Sequence, residues 1–283
     1  MKRLIVTGDD FGLAVPVNEA IEEGHREGIL TAASLMVSGH AAADAVERAR
    51  RQPSLRVGLH LVLVEGRPAL PAESVRDLVD DRGELRTHLV RAGVAFFFRP
   101  VVRRQLEAEI RAQFEAFRAT GLPLDHVNAH NHMHLHPTVL GLVMKVGREF
   151  GLTAVRVPYE PPLASWRAAR TAPARRLLAS VLLAPWVALL RRRLDRAGLK
   201  SNGFTFGLHD TGNMHAALLE RFVRRVPDGV TEIYLHPATR RCPEIDRHMP
   251  HYRHEAELAA LKSRSVIEAL QATDVRRIAF ADI

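Results

Sequence analysis

Histidines are concentrated in one short stretch of this chain, between residues 126 and 136. Five of its fifteen histidines lie there, His126, His130, His132, His134 and His136. Imidazole side chains that lie close together are common ligands for transition metals. The stretch lies in mid-chain between patterned segments, which argues against an expression tag. It indicates either a metal site or a surface cluster.

Carboxylates and further histidines come at the ends of other predicted strands. In chain order, the residues at four such ends are Asp9, Asp10, His60, His130 and His236. The carboxyl ends of parallel strands meet on one face of a (β/α) barrel, so we expect these side chains to converge. One carboxylate and two imidazoles suit Zn²⁺, Fe²⁺, Mn²⁺ or Ni²⁺, and a second carboxylate and a further histidine could serve as base and acid. The pattern therefore predicts metal-assisted hydrolysis.

Each of these residues also has an ordinary structural interpretation. An Asp-Asp pair that follows a strand is frequently a helix N-cap and turn, and a single histidine on a strand is frequently a core or surface group. His248, His251 and His254 recur every three residues and predict either a second metal cluster or a loop and helix start.

Apolar runs of strand length alternate with helical patterns along the chain. The predicted strands are Lys2–Thr7, Ala33–Val37, Arg56–Leu63, His126–Ala129, Ala154–Val157, Gly203–Leu208, Thr231–Leu235 and Arg277–Ala281. The predicted helices are Val15–Glu27, Ala41–Arg51, Val101–Ala119, Thr138–Phe150, Met214–Arg225 and His254–Gln271. About eight such units predict an α/β fold, a distorted TIM-like (β/α) barrel forming a single domain over residues 1–283. An open doubly wound sheet is the alternative, and residues 64–100 and 161–202 are predicted to be insertions.

The composition restricts the function classes. The chain has 283 residues, 47% of them hydrophobic, and a formal net charge of +8. A basic balance suits nucleic acid, an anionic membrane surface or an acidic substrate, but no glycine-rich phosphate loop or zinc-finger spacing occurs, so we expect no nucleic-acid partner. The single cysteine, Cys242, allows no internal disulfide, and the N-terminal residues do not resemble a signal peptide. We expect a cytoplasmic protein.

Residues 174–197 form an apolar segment flanked by arginines. The centre, Leu177–Leu190, contains Pro185 and Trp186. About 14 apolar residues are too few to span a bilayer, so we expect no membrane-spanning helix and a kink at the proline. The segment could be an interfacial membrane helix, a buried hairpin or a homodimer interface. Residues 96–98 are a second apolar patch beside an arginine.

Five motifs follow one another along nearly the whole chain: TGDDFG, SLMV, VGLHLVL, DHVNAHNHMHLHP and LHPA. In these motifs the chain resembles the YdjC-like carbohydrate deacetylases. The resemblance implies a distorted (β/α) barrel that removes N-acetyl groups from sugars with one divalent metal ion, either magnesium, zinc or another transition metal. It also implies that Asp10, His60 and His130 bind the metal, that Asp9 is the base and that His236 is the acid.

The histidine-rich motif departs from the family pattern, which has Asp, a small residue and three histidines. Here residues 128–132 read Asn-Ala-His-Asn-His. Asn128 and Asn131 depart from the pattern, and the departure concerns the groups that would hydrogen-bond to the metal ligands rather than the ligand His130 itself. His132 and His134 are candidates for such contacts or for substrate binding. Arg156, at the end of the predicted strand Ala154–Val157, could orient Asp9, bind substrate or form a surface salt bridge.

Four further stretches, RRQLEAEIRAQFEAF, LPLDHVNAH, RVPYEPP and YRHEAELAAL, are similar to the hopanoid-associated subgroup of that family. This resemblance implies an N-acetylglucosaminyl hopanoid as substrate, with residues 174–197 in peripheral contact with the inner face of the cytoplasmic membrane. Three alternatives remain open: a deacetylase of soluble chitooligosaccharides, a metal-dependent phosphoester hydrolase, and a non-catalytic membrane-associated protein that binds metal. The last predicts that Asp9 and His236 are dispensable.

Overall fold

The computed structural model describes residues 1–283 and contains seven strands and eleven α-helices. The strands are β1 Lys2–Phe11, β2 Ala32–Leu35, β3 Arg56–Leu61, β4 Val127–Ala129, β5 Phe204–Phe206, β6 Gly229–Leu235 and β7 Arg276–Arg277. The helices are α1 Val15–Arg26, α2 Ala42–Arg51, α3 Leu89–Phe98, α4 Pro100–Ala119, α5 Pro137–Gly147, α6 Pro162–Ala169, α7 Pro173–Arg196, α8 Ala216–Val223, α9 Pro243–His248, α10 His254–Leu261 and α11 Arg264–Gln271. The predicted α/β class is confirmed.

All strand pairings are parallel, in the order β4-β3-β2-β1-β6-β5, and β7 pairs with the start of β1. The first strand thus lies between the second strand and a late one. In a doubly wound sheet the second neighbour of β1 would be β3 or β4, whereas here it is β6, which is the order of a barrel. The sheet curls into a half-barrel consistent with a TIM-like barrel. Between β4 and β5 only single bridges occur, Val127 with Val155 and Ala154 with Lys200.

The strands form because short aliphatic runs are buried on both faces, as a parallel sheet requires. In β1 the eight residues from Leu4 to Phe11 are all buried. One hydrophobic cluster of 63 buried residues packs the helices against the sheet. The amphipathic helix α4, for example, buries Leu106, Ile110 and Phe114 on one face.

Three predicted elements are wrong in extent. Residues 154–157 are not a strand, because they make only the isolated bridges and run on into an irregular segment. The predicted strand Arg277–Ala281 is reduced to two residues followed by a 3₁₀ turn at Phe280–Asp282. The helix predicted over His254–Gln271 is two helices, because the backbone breaks at residues 262–263 between α10 and α11.

The two segments that interrupt the alternation contain helices. Residues 64–100 hold α3 and a 3₁₀ turn at Ala72–Ser74, and residues 161–202 hold α6 and α7. α7 is one helix of 24 residues that continues through Pro185. Its length and composition would allow it to cross a membrane. The helix is therefore longer than the apolar centre of about 14 residues indicated, and the expectation that no helix spans a membrane stays a prediction.

Candidate active site

A bulge in β1 brings two consecutive carboxylates to the same face. Gly8 pairs with Ala33 and Phe11 with Leu35, so three steps on β1 oppose two on β2. Successive side chains of a regular strand point to opposite faces, and an extra residue breaks that alternation. Asp10 takes a left-handed backbone conformation, with φ of 61°. Both aspartates thus belong to the strand, and the prediction that they follow it is corrected.

Asp10, His60 and His130 come together from β1, β3 and the turn that follows β4. Each offers one ligand atom, and these atoms all lie within 4.8 Å of one another. Oδ1 of Asp10 lies 3.3 Å from His60 Nε2 and 3.3 Å from His130 Nδ1. All three side chains are buried or nearly so. This is the triad that the resemblance implied.

The donor set fits a divalent metal. Both oxygens of Asp10 and Nε2 of His60 are buried without a hydrogen-bond partner. Orphaned polar atoms of this kind are costly and call for an explanation, such as an ion. Two ligands held about 2.1 Å from a tetrahedral zinc lie roughly 3.4 Å apart, close to the spacing found here. Burial would raise the pKa of Asp10, but His130, His60 and His236 together lower it by more, so the pKa lies well below its usual value and the carboxylate is ionised.

Asn128, on β4, connects one ligand to the second aspartate. Its amide oxygen lies 2.7 Å from His60 Nδ1, and its amide nitrogen donates to Asp9 Oδ1 at 3.3 Å and to Ser34 Oγ at 2.9 Å. This orientation places the histidine's proton on Nδ1 and leaves Nε2 free to bind a metal. If the Asn128 amide were rotated by 180°, its oxygen would accept from Arg156 and its nitrogen would donate to His60 Nδ1. The proton of His60 would then have to lie on Nε2, the atom that faces Asp10.

Arg156 is fully buried and holds both carboxylate oxygens of Asp9. Its Nη1 donates to Asp9 Oδ2 at 2.6 Å, and its Nη2 donates to Asp9 Oδ1 at 2.9 Å. Nε and Nη2 also donate to Glu232, whose Oε1 accepts from Thr7. Burial opposes ionisation of Asp9, but Arg156 and then His60 outweigh it, and the pKa of that carboxyl lies well below its usual value. The surface salt bridge considered for Arg156 is excluded.

The turn after β4 is strained where it passes the triad. Asn131 and His132 both have φ of 52°, and Glu65, whose carboxylate accepts from Asn131 Nδ2 at 2.7 Å, has φ of 53°. Side chains other than glycine rarely adopt this conformation, and such strain clusters at functional sites. Together with Asp10, these are four of the six non-glycine residues with positive φ in the chain.

His132 and His134 contribute in different ways. His132 Nε2 lies 3.2 Å from the hydroxyl of Tyr234, and both residues line the site cavity. His134 is fully buried, and its Nε2 lies 3.1 Å from the backbone oxygen of Arg156. Burial lowers the pKa of His134 to about 3, so it is neutral. His132 is therefore placed to meet a substrate, whereas His134 supports the segment that carries Arg156.

His236, directly after β6, lines the same cavity as His60 and His130. Its backbone N–H donates to the buried Glu257 at 2.6 Å, and its backbone oxygen lies 2.6 Å from His254 Nδ1. Its own Nδ1 is buried without a partner. Burial lowers the pKa of His236, which Asp10 and Asp9 only partly offset. His254 therefore holds the backbone of His236 at the end of β6. It belongs to no second metal cluster.

The cavity at this site has a volume of about 160 Å³. Its wall combines the polar residues already described with Leu208, Thr211, Met249 and Tyr252. A smaller hollow of about 40 Å³ adjoins it past His130. A more voluminous hollow of about 350 Å³ lies beneath α3, but none of the triad, Asp9 or His236 lines it.

Sequence reasoning did not single out Glu232, Tyr234, Tyr252 or Glu257. A signal was present for Glu232, since a charged residue in the otherwise apolar strand GVTEIYL must find a buried partner. Glu257 lies on a helix rich in alanine and leucine, where an acidic residue is ordinarily solvent-exposed. Nothing in the sequence distinguishes it from its exposed neighbour Glu255.

Comparison with known proteins points to one family. A model described as YdjC-like protein matches residues 3–272. A protein of Brevibacillus brevis named carbohydrate deacetylase is 40% identical over 163 residues, which cover 56% of this chain and 59% of that protein. A second carbohydrate deacetylase, from Thermoanaerobacter pseudethanolicus, is 25% identical over 276 residues, which cover 97% and 96%.

A crystal structure from Enterococcus faecalis V583 has the same fold. It is provisionally described as a cellobiose-phosphate cleavage protein, and it superimposes with a TM-score of 0.78 at 22% identity over 99% of this chain and 98% of its own. The match to the Brevibacillus protein spans about 60% of that protein's length. Because the family model covers nearly the whole chain, the protein belongs to the YdjC-like family.

Proposed function

We propose that this protein is a metal-dependent hydrolase that removes the N-acetyl group from an N-acetylated sugar. The observation that carries the proposal is the buried triad of Asp10, His60 and His130, with a second carboxylate, Asp9, beside it. The relatives named carbohydrate deacetylases support the choice of reaction. A single carboxylate in the triad favours one metal over the two that phosphoester hydrolysis usually requires.

Each residue of the site has a separate role in the proposed reaction. A divalent ion held by Asp10, His60 and His130 would supply Lewis-acid activation of water and of the acetamide carbonyl. Asp9 accepts a proton from the attacking water, and Arg156 holds it in place. The water oxygen first adds to the carbonyl carbon, and the amide C–N bond then breaks. His236, which lines the same cavity, donates a proton to the leaving nitrogen, which gives acetate and a free sugar amine.

We further propose a lipid-linked substrate, an N-acetylglucosaminyl hopanoid, with residues 174–197 in contact with the membrane. The exposed apolar surface of α7 supports this choice, because a soluble oligosaccharide would not require it. Residues 1–283 then form one catalytic domain, in which 64–100 and 161–202 are insertions facing the membrane from its cytoplasmic side.

The test is acetate release by zinc-loaded or magnesium-loaded protein from chitobiose and from the N-acetylglucosaminyl hopanoid. Asp10→Ala should lose both metal and activity, whereas Asp9→Asn should lose activity but retain metal in a metal-content assay. Release from the lipid alone supports the hopanoid substrate, and release from chitobiose alone discards it. If Asp9→Asn and His236→Ala were as active as wild type, the catalytic assignment would be wrong.

A further inference from the structure

The large apolar side chains that this protein exposes are concentrated in three helices. Seventeen large hydrophobic residues are exposed, and all but Met1 and Val15 lie in α3 with the first turn of α4, in α6 or in α7. Both tryptophans of the chain, Trp166 and Trp186, are among them. Scattered exposed apolar residues are normal, but a concentration of this size marks an interaction surface.

The helix α7 lies beside the entrance of the active site. Near its start, Arg176 donates to Asp210 at 2.8 and 2.9 Å, and near its end Arg193 Nη1 donates to the backbone oxygen of Pro137 at 2.8 Å. Asp210 and Pro137 belong to the two segments that also supply cavity residues, Leu208, Thr211, Asn131 and His132. Only 17% of the residues in the most apolar 18-residue window of α7 are buried.

The helix α3 contacts the same turn. The rings of Phe96 and Phe97 meet His136 edge-on, with centroids 6.2 and 6.1 Å apart. His136 directly precedes Pro137, whose backbone oxygen binds Arg193 of α7. The contacts of α3 and α7 at the start of α5 are therefore on adjacent residues. α3 exposes Val90, Val94, Phe97 and Phe98. We call the exposed apolar residues of α3, α6 and α7 the docking face.

Arginines surround the docking face, and acidic groups are nearly absent from it. Residues 89–104 contain no acidic residue, and residues 162–196 contain only Asp195. The exposed arginines of these segments are Arg91, Arg99, Arg103, Arg104, Arg167, Arg170, Arg175, Arg192 and Arg196. Apolar residues with tryptophan and a basic border are typical of helices that lie in the interface of an anionic membrane. A symmetric dimer through this face would bring arginines against arginines.

We propose that α3, α6 and α7 form a docking face for an anionic lipid bilayer, which holds the entrance of the active site at the membrane surface. α7 lies in the interface and does not cross the membrane, because Arg176, Val187, Leu190 and Leu194 are buried against the rest of the protein. The inference extends the proposed function by giving its sugar substrate a membrane location, but binding to the bilayer can be measured without activity.

The experiment is vesicle co-sedimentation of the full chain, with tryptophan fluorescence recorded in parallel. Vesicles are phosphatidylcholine alone or mixed with phosphatidylglycerol. We expect binding to the anionic vesicles at low salt, a blue shift of the emission and weaker binding at high salt. Leu182→Glu with Phe98→Glu should weaken binding by roughly tenfold or more. Val15→Glu, at an exposed apolar residue outside the face, is the control; Val15 is 39% exposed, against 63% for Leu182 and 71% for Phe98.

Three outcomes would overturn the docking face: no vesicle binding by wild type, equal weakening by Val15→Glu, or a dimer in solution that Leu182→Glu dissociates. Activity on chitobiose separates this inference from the proposed function. If the face variants bind vesicles poorly but still release acetate from chitobiose, both stand. If wild type binds vesicles but releases no acetate from any substrate, the docking face stands and the proposed function fails.

Discussion

Arg156 should make a large contribution to the stability of the metal-free protein. Its guanidinium is fully buried and donates four hydrogen bonds to two buried carboxylates, Asp9 and Glu232, at 2.6 to 2.9 Å. Arg156→Met keeps a similar length but leaves both carboxylates without a counter-charge. Removal of one partner from a buried ion pair costs about 3–5 kcal/mol. We expect a loss of that size in the free energy of unfolding.

Urea unfolding in the presence of a chelator measures this effect without a contribution from metal binding. Arg111→Met is the matched control, because Arg111 forms a two-point ion pair with Glu149 at the surface, where a loss below about 1 kcal/mol is expected. Adding Glu232→Gln to Arg156→Met should recover part of the lost stability, since one unpaired charge disappears. If Arg156→Met cost no more than the control, or if the second change brought no recovery, the reasoning would be refuted.

Three further substitutions test the surroundings of the site. Asn128→Asp replaces the amide on the ligand histidine by a stronger acceptor, so zinc affinity should rise about tenfold in calorimetric titration, while the new charge beside Asp9 should lower metal-free stability. Gly58→Ala should lower stability by about 1–3 kcal/mol, because a Cβ there would lie 2.5 Å from the His126 ring, and an unchanged melting temperature would contradict this. Burial raises the pKa of Glu257 to about 7, so the wild type loses stability as the pH rises from 4.5 through 7 and this carboxyl ionises. Glu257→Gln cannot ionise, and its stability relative to wild type should therefore increase between about pH 5 and about pH 8 in urea titrations.

The face of the barrel that carries the candidate site was predictable because strand ends are visible in the sequence. Short aliphatic runs mark β1, β3 and β6, and parallel strands in a barrel expose their carboxyl ends on one side. That rule alone brings Asp10, His60 and His236 together. The distances among them, and the division of the two aspartates between metal and arginine, depend on the bulge in β1, for which the sequence contains no signal.

The elements that were predicted incorrectly lack such local signals. Residues 154–157 have the composition of a strand, but they meet their neighbours only through single bridges. Strand propensity describes a fit to a half-buried pleated surface, and the partner decides whether a strand forms. In α7 the uniform apolar character predicted burial and exposure equally well. Only the tertiary anchors at Arg176 and Arg193 decide which side faces outward.

The site and the docking face are connected by the same short segment. Residues 130–137 supply the ligand His130, the strained residues that line the cavity and the turn on which both α3 and α7 are anchored. A strained backbone persists only where the surrounding structure holds it in place. The helix α3 contacts this segment through Phe96 and Phe97 on the His136 ring, and α7 contacts it through Arg193 on the backbone oxygen of Pro137. The surface that would meet a bilayer therefore also supports the segment that carries His130. Contact with lipid at these helices and order at His130 are therefore expected to depend on each other.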